Sequence, residues 1–168
     1  RAGIEVALLS HGSDLRIPSR HARTYVDSPF HDTSWESVPI LERTAARNAK
    51  LFNSFDGYTF VSTLDLLDYA PRAIWCPGVV DVAAWATDTV ALERPVPVVA
   101  HAPSKSRLKG SQLIDPIMQE LDRRGIVEYR RIERVQPRDM PAVYKDADIV
   151  IDQFTMGIYG VAACEAMA

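Results

Sequence analysis

Short apolar runs alternate along this chain with longer stretches that repeat apolar residues at helical spacing. The runs predict β-strands at 6–10, 58–62, 73–76, 96–101 and 148–152, and alternation of apolar with polar residues predicts a further strand at 127–132. The helical spacing predicts helices at 38–55, 63–69, 111–124 and 138–145, with Asp115-Pro116 as an alternative start of the third. No hairpin signals separate the runs, so the pattern favours an α/β fold with parallel sheets and helices on both faces.

Two segments lack such a period. Residues 15–37 contain Pro18 and Pro29 among polar side chains and are predicted to form a long loop. Residues 82–95 are predicted to be a linker between two lobes. The expected domains are therefore 1–81 and 96–168, joined by residues 82–95.

The composition, 47% hydrophobic and 24% charged, is that of an ordinary globular protein. The net charge of −3 gives no general affinity for nucleic acid. No apolar run approaches the roughly 18 residues of a membrane-spanning helix, which leaves only peripheral association with a membrane open. Cys76 and Cys164 lie far apart and no signal peptide is visible, so a reduced cytoplasmic protein is expected.

Both ends of the sequence look cut from a longer protein. Residue 1 is Arg, and a strand-like run begins almost at once, at Ile4. The other end, Glu165-Ala-Met-Ala168, has neither a helix cap nor an exit loop. We therefore expect both lobes to be incomplete, and the fragment to be inactive, or nearly so, by itself.

The loop after the strand at 96–101 is basic. Lys105, Arg107 and Lys109 fall close together before a predicted helix. Cations beside free backbone donors are typical of a diphosphate site, although a solvated basic loop explains them equally well. The glycine spacing of a Walker A loop is absent.

The first strand ends in His11-Gly-Ser-Asp14. An imidazole at a strand end is a candidate for contact with the substrate near the reacting bond. The alternative, which the spacing favours, is turn chemistry, for which Gly12 and Asp14 are suited. A Ser-His-Asp hydrolase is not indicated, because Gly-x-Ser-x-Gly is absent.

Asp146 and Asp148 have the spacing of a metal-binding Asp-x-Asp pair. They precede their strand, whereas a metal-binding pair would follow one, so the sequence favours no metal site. The four histidines also lack zinc-ligand spacing.

The final segment runs from a strand through a turn with Gly157 and Gly160 into a helix that carries Glu165. Glycines let the backbone approach a ligand closely, and a carboxylate there accepts hydrogen bonds from two adjacent hydroxyls, as in a ribose. The alternative is a surface Glu favoured near the positive end of a helix.

Taken together, these segments resemble the family 4 retaining glycosyltransferases of the GT-B type. They occur in that family's order: His11-Gly-Ser-Asp14, Phe60-Val-Ser-Thr63, Pro77-Gly-Val-Val-Asp81, Lys109-Gly110, residues 144–152, and Tyr159-Gly160 through Glu165-Ala-Met-Ala168. The last segment is the most specific. The resemblance implies two Rossmann-like lobes with the active site in the cleft between them.

The resemblance also implies a role for each site residue. Lys109 and Gly160, with the two other cations of the basic loop, would bind the donor diphosphate, and Glu165 would bind the ribose. His11 would lie on the acceptor lobe, facing the transferred sugar, as the candidate catalytic residue. The donor would be a nucleotide-sugar and the acceptor a sugar, lipid or glycan, with no metal or other cofactor required.

Two departures from the family pattern leave the transferred sugar open. The first Glu of the family's Glu-x7-Glu motif is Gly157 here, and Ser104 stands where the phosphate-loop Arg belongs. Gly157 keeps open a non-catalytic binding or scaffold module with the same core. A sugar-nucleotide 2-epimerase is a third alternative, against which the Glu-Ala-Met-Ala ending argues. The nucleotide base, the acceptor and the oligomeric state do not follow from the sequence.

Overall fold

The computed structural model describes residues 3–168, which form two compact units. The first unit ends at Gly78 and the second begins at Val79, close to the predicted boundary after residue 81. Each unit contains a parallel three-stranded sheet with helices around it. The predicted α/β class with parallel sheets is therefore confirmed.

The first unit has its strands in the order β1-β2-β3. Its elements are β1 (Leu8–Ser10), α1 (Pro18–Thr24), α2 (Val38–Ser54), β2 (Thr59–Val61) and β3 (Ile74–Trp75), with 3₁₀ helices at Pro29–His31 and Leu64–Asp68. The predicted strands and the helix at 38–55 are confirmed with slightly trimmed ends. The helix predicted at 63–69 is a 3₁₀ helix.

Helix α2 closes the core of the first unit. Its buried residues Ala45, Ala49 and Phe52 recur at helical spacing, so they lie on one face. Ala49 and Phe52 pack with Val61 of β2 and with Leu66 from the 3₁₀ helix that follows it. This packing fixes the loops that leave the carboxyl ends of β1 and β2.

The prediction of a long loop over 15–37 is wrong. The segment contains α1 and the 3₁₀ helix at Pro29–His31, both of which begin with proline. It is ordered around His21, whose Nδ1 lies 2.7 Å from Ser28 Oγ and whose ring packs edge-on against Phe30 at 5.3 Å. Elements this short contain too few apolar repeats to show a period, so aromatic contacts decide the structure.

The second unit contains seven further elements after a short helix α3 (Val82–Trp85). They are β4 (Val98–His101), α4 (Ser106–Lys109), α5 (Ser111–Arg123), β5 (Glu128–Arg131), α6 (Met140–Lys145), β6 (Ile149–Ile151) and α7 (Val161–Ala166), with a 3₁₀ helix at Pro137–Asp139. The predicted strands and the start of α5 at Ser111 are confirmed, and Pro116 lies inside that helix. The helix predicted at 138–145 begins as the 3₁₀ helix and continues as α6.

Strand β4 occupies the middle of the second sheet, with β5 on one side and β6 on the other. Residues Val98, Val99 and Ala100 are almost fully buried, as expected for a central parallel strand. The chain visits one neighbour of β4 and then crosses to the other, which creates a topological switch point between β4 and β6. Sheets of this order bind ligands beyond the carboxyl ends of the strands at that point.

Residues 82–95 pack on the second unit. The Trp85 ring lies 5.3 Å from the Tyr144 ring, the Leu92 N–H donates to Asp148 Oδ1 at 2.9 Å, and Arg94 pairs with Asp146 at 2.8 Å. The interpretation of this segment as a linker between lobes stays a prediction.

Candidate functional site

A cleft of about 680 Å³ lies at the carboxyl ends of the strands in the second unit. Its walls come from the loops after β4 and β5, from α4 and α6, from the end of α3, and from α7, which follows β6. The lining includes Ser104, Lys109, Arg134 and Glu165. Its volume falls in the range of small-molecule sites in proteins, and its place in the sheet is where such sites occur.

Asp152 connects two of the predicted phosphate-binding groups. It follows β6 directly and forms an ion pair with the ammonium of Lys109, the last residue of α4. Its other oxygen accepts a hydrogen bond from the Gly160 N–H. The side chains of Lys109 and Asp152 are only 17% and 9% exposed, so the pair is largely shielded from water.

Position 160 suits glycine, because the side chains of Lys109 and Asp152 approach it closely. A Cβ atom there would lie 2.7 Å from Lys109 Nζ and 2.9 Å from Asp152 Oδ2, closer than carbon atoms are found to such groups. Any side chain would therefore push the ion pair apart. Gly160 contributes its N–H and the space in which Lys109 and Asp152 meet.

Glu165 faces the same carboxylate. Burial and the nearby negative charge of Asp152 raise the pKa of Glu165, while the Lys109 ammonium opposes the shift. Burial, Glu165 and Asp152 also raise the pKa of Tyr144 to about 12. Glu165 thus lies within electrostatic reach of both members of the ion pair, and its carboxylate can accept hydrogen bonds from a polyhydroxy ligand in the cleft.

An aromatic wall, formed by Trp85 and Tyr144, closes one side of the cleft. The two rings lie 5.3 Å apart at an angle of 48°. Met140 and Pro137 extend this apolar surface. A flat ring, such as a nucleobase, can pack against surfaces of this kind.

Arg134 is a second cation of the cleft and was not predicted from the sequence. Within residues 3–168 it is exposed and makes no hydrogen bond or ion pair. The neighbouring Arg131, by contrast, binds both carboxylate oxygens of Asp115 at 2.8 Å and donates to Ser106 Oγ. Arg134 has a φ of 60°, so the turn after β5 directs it differently from Arg131.

The other predicted site residues lie elsewhere. Lys105 and Arg107 are exposed and do not line the cleft, although Ser104 from the same loop does. His11 belongs to the first unit, where it is exposed at the end of β1. Its turn is held by Asp14, which accepts hydrogen bonds from Ser10 Oγ and the Gly12 N–H, both at 2.9 Å. The roles predicted for these three residues stay predictions.

His101 lies at the end of β4, next to the loop that lines the cleft, and its hydrogen bonds hold neighbouring elements together. It is fully buried, and burial lowers its pKa, so the ring is neutral at pH 7. Nδ1 lies 2.9 Å from the Ile151 carbonyl and donates to it, and Nε2 then accepts from Ser111 Oγ at 2.9 Å. One imidazole thus joins the ends of β4 and β6 to the start of α5.

Among residues 3–168, no group of three or more His, Cys, Asp or Glu side chains is arranged to hold a metal ion. The Asp-x-Asp pair is occupied by protein groups. Asp146 pairs with Arg94 and Arg130, and Asp148 accepts the Leu92 and Val98 N–H groups, both contacts that lower its pKa. These two carboxylates therefore fasten the start of β6 to the segment before β4.

Three residues of the site were not predicted from the sequence, and only one of them had a recognisable signal. Asp152 could have been found, because it directly follows a strand in a parallel sheet. Trp85 gave no signal within a segment without a period, and Arg134 follows a strand in a charged loop that resembles a solvated one.

The chain matches no protein-family model, no curated protein and no solved structure. None of the helices within residues 3–168 has the length and apolar character needed to cross a membrane.

Proposed function

We propose that this chain carries the nucleotide-sugar site of a retaining, metal-independent glycosyltransferase of the GT-B type. The main support is that Lys109 and Glu165, which the sequence predicts separately as diphosphate and ribose ligands, line the same cleft. They come from elements on either side of the β4–β6 switch point. The two units would then correspond to the two lobes of that fold.

Each wall of the cleft has a proposed partner on the donor. Lys109 and the Gly160 N–H bind the diphosphate, because both are donors of strong hydrogen bonds to phosphate oxygens. Glu165 accepts hydrogen bonds from the ribose hydroxyls, and the aromatic wall packs against the base. Arg134 lies at the cleft without a competing protein partner in the described chain and is placed to add a second positive charge.

The reaction follows from the charge that develops on the donor. As the bond between the sugar and the diphosphate breaks, negative charge grows on the leaving phosphate oxygen, where Lys109 stabilises it. The acceptor hydroxyl forms the new C–O bond on the face from which the diphosphate departs. Its proton passes to the departing oxygen, so configuration is retained. His11, which belongs to the first unit, keeps its predicted role as the candidate catalytic residue.

One observation favours a second candidate, a non-catalytic nucleotide-binding module. Gly157, at the position of the family's sugar-contacting Glu, has a φ of 68°. A Glu side chain is strained in this left-handed conformation, so the turn is built for glycine rather than for a simple replacement by Glu. Such a module would bind the nucleotide and lack this contact to the sugar.

Calorimetric titration of the 168-residue chain with UDP, GDP and ADP tests the proposal. One of the three should bind, and Lys109→Gln should weaken that binding at least about tenfold, the worth of a charge-assisted hydrogen bond. Lys50→Gln is the matched control, because this exposed lysine belongs to α2 of the first unit and does not line the cleft. Its affinity should stay within about twofold of the unmodified chain.

The result that contradicts the proposal is no binding of any of the three nucleotides. Equal losses in Lys109→Gln and Lys50→Gln would instead show a non-specific attraction to positive charge. To separate the transferase from the binding module, a nucleotide-sugar of the bound base is supplied, with candidate acceptors, to the 168-residue chain, which contains both units. Release of free nucleotide that depends on acceptor favours the transferase.

A further inference from the structure

Asp152 occupies the groups that are proposed to bind phosphate. One of its oxygens accepts from Lys109 and the other from the Gly160 N–H. A phosphate oxygen bound at the same place needs these same donors. The carboxylate is therefore an internal anion seated where the donor's diphosphate is expected.

The surroundings of Asp152 are shielded from water and include a second carboxylate. The Asp152 side chain is 9% exposed, and its negative charge contributes to the raised pKa of the nearby Glu165. A diphosphate in the cleft would meet two carboxylates, one partly neutralised ammonium and the guanidinium of Arg134. Like charges at this range are strongly unfavourable where water is partly excluded.

We propose that Asp152 is an intramolecular competitor of the anionic ligand, so that the ligand must take Lys109 away from Asp152 in order to bind. The inference rests on the proposed nucleotide-sugar function and adds a specificity-determining residue to it. The carboxylate holds Lys109 and the turn before α7 in place while the cleft is empty. It also excludes anions too weakly charged to replace it, which favours a diphosphate over a monophosphate or a carboxylate.

The alternative role for Asp152 is to position Lys109 for the ligand, and the two roles predict opposite results. A competitor lowers affinity, so its removal strengthens binding. A positioning carboxylate raises affinity, so its removal weakens binding. Asp152→Asn separates them, because asparagine has the same shape and keeps an acceptor oxygen for Lys109, while it loses the charge and the second oxygen that accepts from the Gly160 N–H.

The experiment measures binding of UDP, GDP, ADP and inorganic pyrophosphate to the full chain and to Asp152→Asn and Asp152→Ser. We expect both variants to bind the best nucleotide and pyrophosphate about tenfold more tightly, as removal of one nearby negative charge predicts. Glu120→Gln is the matched control, because it removes a half-exposed carboxylate of α5 in the same unit that does not line the cleft. Glu120→Gln should leave the affinity for the nucleotide and the affinity for pyrophosphate unchanged.

The outcomes keep the two claims apart. If the unmodified chain binds no nucleotide and neither do the variants, the proposed function fails. If the unmodified chain binds a nucleotide and both variants bind it less tightly or equally, the function stands and the competitor role is overturned. Circular dichroism reports whether the variants fold. Unfolding of both would also overturn the inference, since contacts required for folding cannot be surrendered to a ligand.

Discussion

The ion pair between Arg16 and Asp65 should dominate the stability of the first unit. Arg16 Nε lies 2.7 Å from Asp65 Oδ2, and the two side chains are only 5% and 3% exposed. Asp65→Asn keeps the shape of the side chain and removes its charge. The guanidinium of Arg16 is then left buried without a counter-charge.

The size of the effect follows from that burial. Removing one partner of a buried ion pair typically costs about 3–5 kcal/mol. Domains of this size are stable by only about 5–15 kcal/mol, so the substitution should remove a large part of the free energy of unfolding. Replacement of both partners, as Arg16→Met with Asp65→Leu, should cost much less than the sum of the single changes, because no charge stays buried.

Urea unfolding measures this effect within the first unit alone. In a Trp85→Phe background, the fluorescence comes from Trp35 and Trp75, which both belong to that unit. Asp68→Asn is the matched control, because Asp68 is exposed on the same 3₁₀ helix as Asp65. It should change the free energy of unfolding by less than about 0.5 kcal/mol.

The reasoning is refuted if Asp65→Asn costs less than about 1 kcal/mol, or no more than Asp68→Asn. The pair would then behave as a solvated surface contact. Such a result would also remove the physical reason for the fixed position of Arg16, whose backbone N–H donates to the Gly12 carbonyl at 2.8 Å in the turn that contains His11.

Two further predictions concern the second unit, whose unfolding is reported by Trp85 fluorescence in a Trp35→Phe, Trp75→Phe background. Because burial lowers the pKa of His101 below its usual 6.5, the unfolded chain binds the proton more readily, and stability should fall as the pH drops below about 6.5. His101→Gln should flatten this dependence between about pH 5.5 and 7.5, and an unchanged slope would contradict it. Asp148→Asn should lower the urea midpoint more than Asp146→Asn, because Asp148 accepts two backbone N–H groups and is only 3% exposed, whereas Asp146 is 57% exposed. Equal midpoints would show that those two hydrogen bonds contribute little.

Periodicity predicted the elements whose burial repeats along the chain. The helix at 38–55 is found at Val38–Ser54, because one face carries Ala45, Ala49 and Phe52 into the core. Each predicted strand is likewise present. Most are apolar runs in a parallel sheet, whereas 127–132 was predicted from its alternation and contains β5, Glu128–Arg131. Helix α1 was missed because its seven residues are stabilised by contacts with distant aromatic side chains, which leave no local period.

The candidate site was only partly predictable for a related reason. Chemical type and position after a strand made Lys109 and Glu165 candidates, and the resemblance to a family supplied their roles. Their union in one cleft depends on the order of the strands, which no single sequence pattern reveals. The pairing of Lys109 with Asp152 joins residues far apart in the chain, and the contribution of Trp85 comes from a segment without a period. Both follow from tertiary packing alone.

The most direct test of the central claim pairs each side chain with the ligand group that it is proposed to bind. The best nucleoside diphosphate is compared with its monophosphate and with its 2′,3′-dideoxy form on the unmodified chain, Lys109→Gln and Glu165→Gln. We predict that Lys109→Gln loses most of the preference for the diphosphate over the monophosphate. Glu165→Gln should lose most of the preference for the ribose over the dideoxy form. Each preference should fall by about tenfold or more. If either substitution weakens all three ligands equally, or leaves both preferences intact, the assignment of this cleft to a nucleotide is contradicted.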